Sequence, residues 1–163
     1  MPKPETHRKS DLHQIKVALE AYYNDHNSYP LADGCPSGTC GADSADYTTN
    51  YSNLSSSYIT TLPLDPVNAT KGSGSSINGC GAGALKDAVC ATNNYAYSYV
   101  RSGDGQHFVL YARLENASDP QACPTINYTF PMQLSFNGVN FSDCQTFVTT
   151  DPGEAGLYYL TSN

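Results

Sequence analysis

The sequence predicts an α+β fold in which one N-terminal amphipathic helix packs on a small antiparallel sheet, with long disulfide-stapled loops around them. Three observations carry this. Apolar residues recur at three- and four-residue spacing near the start, alternation sets in beyond residue 95, and six cysteines fall outside both patterns. At 163 residues the chain is sized for a single domain, residues 1–163, with one core.

From about Glu5 to Asp25, the positions Leu12, Ile15, Leu19 and Tyr22 form a stripe flanked by Ala18 and Tyr23, as in a helix with one apolar face. Ser10 and Asp11 offer a cap for a shorter helix, whereas Arg8 and Lys9 just before them suit a helix entering from a longer N-terminal segment. Asn24, Asn27, Ser28 and Pro30 end it: Pro30 holds Tyr29 extended, and short polar side chains compete for backbone hydrogen bonds.

Residues 31–94 read as a variable loop region rich in Gly, Ser, Thr and Asn, with Tyr58–Leu62 and Ala84–Val89 as its only short elements. Residues 95–163 carry the sheet and a C-terminal loop. Tyr95, Tyr97 and Tyr99 alternate with Ala96, Ser98 and Val100, and Phe108, Leu110, Ala112 and Leu114 alternate with Val109, Tyr111 and Arg113. Ser102-Gly103-Asp104-Gly105 joins these two strands as a hairpin. A second hairpin is expected where Met132–Phe136 meets Val139–Phe141 through Asn137-Gly138, a pair suited to the positive-φ turn of tight hairpins. Leu157–Leu160 adds a last strand.

Charge narrows the function classes. The formal net charge is -7, yet Lys3, Arg8, Lys9 and Lys16 are four of the eight basic residues, so a basic pole precedes an acidic body. An acidic body repels a phosphate backbone, which argues against broad nucleic-acid binding. Only 14% of the residues are charged, and the polar remainder is Ser, Thr, Asn and Gly, which suits a β-rich surface and excludes a coiled coil.

Cys35, Cys40, Cys80, Cys90, Cys123 and Cys144 contain no C-x-x-C pair, so disulfides are favoured over zinc or redox chemistry. Disulfides imply an oxidising compartment. The sequential pairing Cys35–Cys40, Cys80–Cys90 and Cys123–Cys144 closes the shortest loops and leaves each bridge in a region without obvious secondary structure. A protein exported to such a compartment needs a signal, and the chain holds no apolar run of signal or membrane length. Met1-Pro2-Lys3-Pro4 reads as an artificial start, so that signal or anchor is expected upstream of the helix.

No catalytic constellation is visible. His7, His13, His26 and His107 form no metal-binding spacing, no G-x-S-x-G elbow surrounds a serine, and the cysteines are committed to bridges. Gly72-Ser73-Gly74 and Gly79-Cys80-Gly81-Ala82-Gly83 complete no nucleotide-binding pattern and read as flexible loop. No cofactor is called for. Asp119, Asp143 and Asp151 fall in C-terminal loops and are the candidates for calcium, although they lack ligand spacing. Thirteen tyrosines without a tryptophan raise an adhesive or sugar-binding surface through Tyr95, Tyr97 and Tyr99. Asn50, Asn53, Asn68, Asn116, Asn127 and Asn140 each begin an Asn-x-Ser/Thr triplet, several of which arise by chance in so polar a chain and which mean little if the source is bacterial.

One stretch is more specific. Ser10-Asp11-Leu12, Ile15, Ala18-Leu19, Tyr22-Tyr23, Asp25 and Ser28-Tyr29-Pro30 resemble the helix exit of type IV pilins and type II secretion pseudopilins. Tyr58-Ile59, Leu62-Pro63 and Asp65-Pro66 resemble that family's passage from helix to sheet, and Tyr95–Tyr99, Gly105-Gln106 and Phe108–Glu115 its first hairpin. The likeness covers about a third of the chain and rests on order and spacing. It departs from the family where His26-Asn27 replaces a common glycine, where no calcium loop is recognisable, and where the peptidase site and the acidic residue of the mature N-terminus are absent.

The resemblance implies a ladle-shaped, non-enzymatic filament subunit lacking its hydrophobic half-helix. That half-helix would anchor the precursor in the inner membrane and then pack in the filament. Its partners would be other copies of itself and the pilus assembly machinery, and its location an extracellular filament. Arg8 and Lys9 would then serve interfacial anchoring or subunit contacts. The alternatives are a periplasmic pseudopilin and a free secreted binding or adhesin module.

Overall fold

A computed structural model describes residues 4–30, 54, 57–60, 63, 97–136, 139–150 and 156–163. Helix α1 runs Pro4–His26, followed by strands β1 (Tyr97–Arg101), β2 (Phe108–Arg113), β3 (Thr129–Phe136) and β4 (Val139–Asp143), helix α2 (Cys144–Thr150) and strand β5 (Leu157–Thr161). Mixed helix and antiparallel sheet make the fold α+β. Both expected hairpins and the last strand are present, the turn residues 137–138 lying outside the described residues.

Helix α1 starts with proline, which fits a first-turn position because its missing N–H would have no intrahelical partner there. The helix passes unbroken through Ser10 and Asp11, so the shorter helix that they could cap does not form. Asp11 is instead buried, with His7 Nε2 at 3.5 Å one turn away. At the other end Asn27 takes the left-handed conformation, φ 55°, and its N–H donates to the Tyr23 carbonyl at 2.7 Å. Asparagine tolerates that conformation better than most residues, so it does the work of the missing glycine.

The helix exit is tied to the β1–β2 hairpin. Tyr29 N–H donates to the Gly105 carbonyl at 2.8 Å, Gln106 Nε2 to the Asn27 carbonyl at 3.1 Å, and Tyr99 O–H to the Pro30 carbonyl at 2.8 Å. Gly105, φ 73°, has no alternative here, since a Cβ would collide with Ser28 Oγ and the Arg101 guanidinium.

Strands β1, β2 and β5 form one antiparallel sheet with β2 at its centre, in the register Tyr99↔Leu110 and Ala112↔Tyr158. The alternation along β2 feeds two clusters, not the single core expected. Phe108, Leu110 and Ala112 face Leu12, Ile15, Ala18 and Leu19 of α1, while Val109 and Tyr111 face Phe130, Phe141, Phe147 and Tyr159. Every β2 side chain from Phe108 to Ala112 is buried. The strand is apolar on both faces because a second layer, the separate β3–β4 hairpin and α2, covers the side away from α1.

The bridge Cys123–Cys144 holds that layer, with Cα atoms 6.2 Å apart. Its surroundings correct an expectation, because Cys144 opens helix α2 instead of lying in loop. Asp143 caps that helix, its Oδ1 accepting the Thr146 N–H at 2.8 Å. Cys35, Cys40, Cys80 and Cys90, and with them the other two expected bridges, lie outside the described residues, as does the element at 84–89. In the other short element, Tyr58 N–H donates to the Leu54 carbonyl in a turn, and Ile59 makes an isolated bridge.

Candidate functional site: the outward face of helix α1

The inward face of α1 is spent on the fold. Leu12, Ile15 and Leu19 are fully buried and Tyr22 packs against the same cluster from a half-buried position. The first turns hold polar anchors. Arg8 is entirely buried, and its Nη2 donates to Glu115 Oε1 at 3.2 Å. Lys9 Nζ sits 2.9 Å from both carboxylate oxygens of Asp119 and 5.7 Å over the Tyr158 ring. Glu5 accepts the Asn116 N–H at 3.0 Å. Arg8 and Lys9 therefore turn into the chain's own 114–122 segment, which corrects the expectation that they face a membrane or a neighbouring subunit.

Asp119 shows the electrostatic consequence. Burial works to raise its pKa, but hydrogen bonds from the Gln121 N–H and from Lys9, with the lysine's charge, outweigh it and hold the carboxyl below its ordinary range. A depressed folded-state pKa means stability that is complete above the unfolded value and is lost as pH falls through the folded one. Acid melting should therefore steepen as pH falls below the ordinary carboxylate value, and Asp119→Asn should flatten that limb while lowering stability at neutral pH. Thermal melts across a pH series read both effects.

The outward face is different. At about 3.6 residues per turn, Ser10, Gln14, Val17, Ala21 and Asn24 lie opposite the buried stripe. Their spacing is four, three, four and three, the repeat that keeps a seam facing a partner helix. None carries a charge, whereas exposed helix faces are ordinarily where charges collect. Val17, at its centre, is 66% exposed, the most exposed large hydrophobic side chain among the described residues. A shallow groove beside it is lined by Ser10, His13, Gln14, Val17 and Ile59, and a second, nearer the start of the helix, by Thr6, His7, Ser10, Asp11 and Gln14. The charged residues are on the flanks and occupied, Lys16 lying 3.8 Å from Glu20.

Sequence reasoning did not single out Val17 or this stripe. The signal was an absence of charge at heptad spacing, which a search for apolar positions passes over.

The remaining candidates are dispersed. Asp119 and Asp143 are engaged by Lys9 and by the α2 cap, Asp151 lies outside the described residues, and among the described residues no group of three or more His, Cys, Asp or Glu could hold a metal. Of the tyrosines considered for adhesion, Tyr95 lies outside the described residues and Tyr99 is fully buried, its hydroxyl pKa pushed well up by burial, so Tyr99 offers no adhesive surface. No helix among the described residues is long and apolar enough to cross a membrane. Compared with known protein families, curated proteins and solved structures, the chain finds no match.

Proposed function

We propose that this chain is the ladle-like headgroup of a structural, non-enzymatic subunit of a type IV pilus-like extracellular filament. The observation that carries the reading is the outward stripe of α1: uncharged, at heptad spacing, with Val17 exposed at its centre. Such a stripe has no charge to desolvate and fits close approach by a second helix. The ordered resemblance of the helix exit and first hairpin to pilins supports the same reading. So does the way α1 is held at both ends, by Arg8 and Lys9 near its start and by Asn27 and Tyr29 at its exit. A subunit that transmits load through its helix needs that rigidity.

In this account a hydrophobic half-helix preceding residue 5 anchors the precursor in the inner membrane, the assembly machinery extracts it, and copies then pack through the continued helix. Val17→Asp tests the stripe. The variant should melt like the parent, because an exposed site changes stability by only about 0.5 kcal/mol, while surface fibres counted by electron microscopy are lost. Normal fibres from the variant would overturn the proposal. Deletion of the gene separates the jobs within the family: loss of fibres marks a pilin, whereas loss of protein secretion with fibres intact marks a pseudopilin.

A further inference from the structure

We infer that Asn116 is an acceptor for an N-linked saccharide. Three Asn-x-Ser/Thr triplets fall within the described residues, at Asn116, Asn127 and Asn140, and all three asparagines are exposed. They differ in how firmly the fold holds their backbone, which decides whether a transferase can draw the triplet into its groove.

Asn140 is in β4, paired with Ser135 of β3. Asn127 lies inside the loop closed by Cys123–Cys144, where its Oδ1 accepts the Gln145 N–H at 3.2 Å and the adjacent Tyr128 carbonyl accepts the Cys144 N–H at 2.9 Å. Asn116 belongs to an exposed turn outside any strand ladder or described bridge, and Glu115, Ala117 and Ser118 beside it are exposed too. Its N–H donates to Glu5 Oε1 at 3.0 Å and its carbonyl accepts the Asp119 N–H at 3.0 Å, turn contacts that can open without breaking a ladder or straining a bridged loop. Its Oδ1 accepts the Ser118 N–H at 3.0 Å. Among the described residues nothing engages its Nδ2, the atom that would carry the sugar.

The donor is a lipid-linked saccharide phosphate of the same oxidising compartment that the disulfide implies. Nδ2 attacks the anomeric carbon, the bond from that carbon to the phosphate oxygen breaks, the lipid phosphate leaves with the electron pair, and one amide proton passes to the transferase's base. Oδ1 remains an acceptor afterwards, so the Ser118 hydrogen bond survives. The backbone of Asn116 contacts Glu5, on the side of α1 away from Val17, which leaves the outward stripe uncovered. The inference therefore does not depend on the filament reading.

The full chain, secreted from a host with N-glycosylation machinery and carrying an unstructured C-terminal acceptor tag as internal standard, supplies the test. Glycopeptide mapping should find Asn116 occupied, and more so than Asn127 or Asn140. Asn116→Gln and Ser118→Ala should each lose that mass with melting unchanged. A bare Asn116 beside a modified tag would overturn the inference, and so would higher occupancy at Asn127 or Asn140.

Discussion

Replacing Leu19 with aspartate should abolish cooperative folding. Leu19 is fully buried in the cluster that joins α1 to Phe108, Leu110 and Tyr158. Truncating a buried leucine alone costs about 2–5 kcal/mol. Aspartate adds an unpaired charge to the same apolar site, which costs several kcal/mol more or forces the group to protonate. Together these approach the roughly 5–15 kcal/mol that stabilises a typical domain. Circular dichroism and thermal melting should show no native transition at neutral pH. A folded variant with unchanged melting would count against the packing of α1 on the sheet, and Val17→Asp, two residues away on the opposite face, is the matched control.

Removing the Cys123–Cys144 bridge should produce the second largest effect, and a spatially restricted one. The two cysteines are 21 residues apart and both fully buried. Closing a loop of that size stabilises by about 3 kcal/mol in the chain-entropy model. The bridge fastens the start of α2 to a residue whose N–H donates to the Leu157 carbonyl, next to the edge of the central sheet. Cys123→Ser with Cys144→Ser should therefore lower the urea midpoint. It should also raise hydrogen exchange first in β3, β4 and α2, while the amides of α1 and of the β1–β2 hairpin keep their protection. Uniform loss of protection would mean that the two clusters fold as one unit.

Local chemistry made α1 and the hairpins legible. Apolar spacing placed the helix over 5–25 where it runs Pro4–His26, and alternation located β1, β2 and β5 within a residue or two at their starts or ends. The second hairpin was found too, although β3 begins earlier, at Thr129, beyond a register irregularity that periodicity does not reveal. What escaped depends on partners distant in sequence. Helix α2 is seven residues long, too short for an amphipathic period, and is held by the Asp143 cap and by Cys144 and Phe147 in the back cluster. That cluster was missed because Phe108, Leu110 and Ala112 were read as the one core face of β2, although Val109 and Tyr111 on its other face are apolar too and need a cover of their own.

The candidate site was less legible than the fold. Arg8 reads as a solvated or membrane-facing cation until Glu115, just beyond β2 and 107 residues away in sequence, is brought beside it. The outward stripe reads as ordinary surface until the burial of Leu12, Ile15 and Leu19 fixes which face points away from the core. Asn27 looked like a departure from the resemblance, whereas its positive φ does the same conformational work as glycine.

The filament proposal is tested most directly by reading the native coding sequence immediately upstream of the codon for Glu5. A short basic leader followed by an uninterrupted apolar helix of about 20 residues, running in phase into α1, is the predicted result. A cleavable secretory signal, or no apolar segment in front of Glu5, would contradict it and leave a secreted binding module as the reading to pursue.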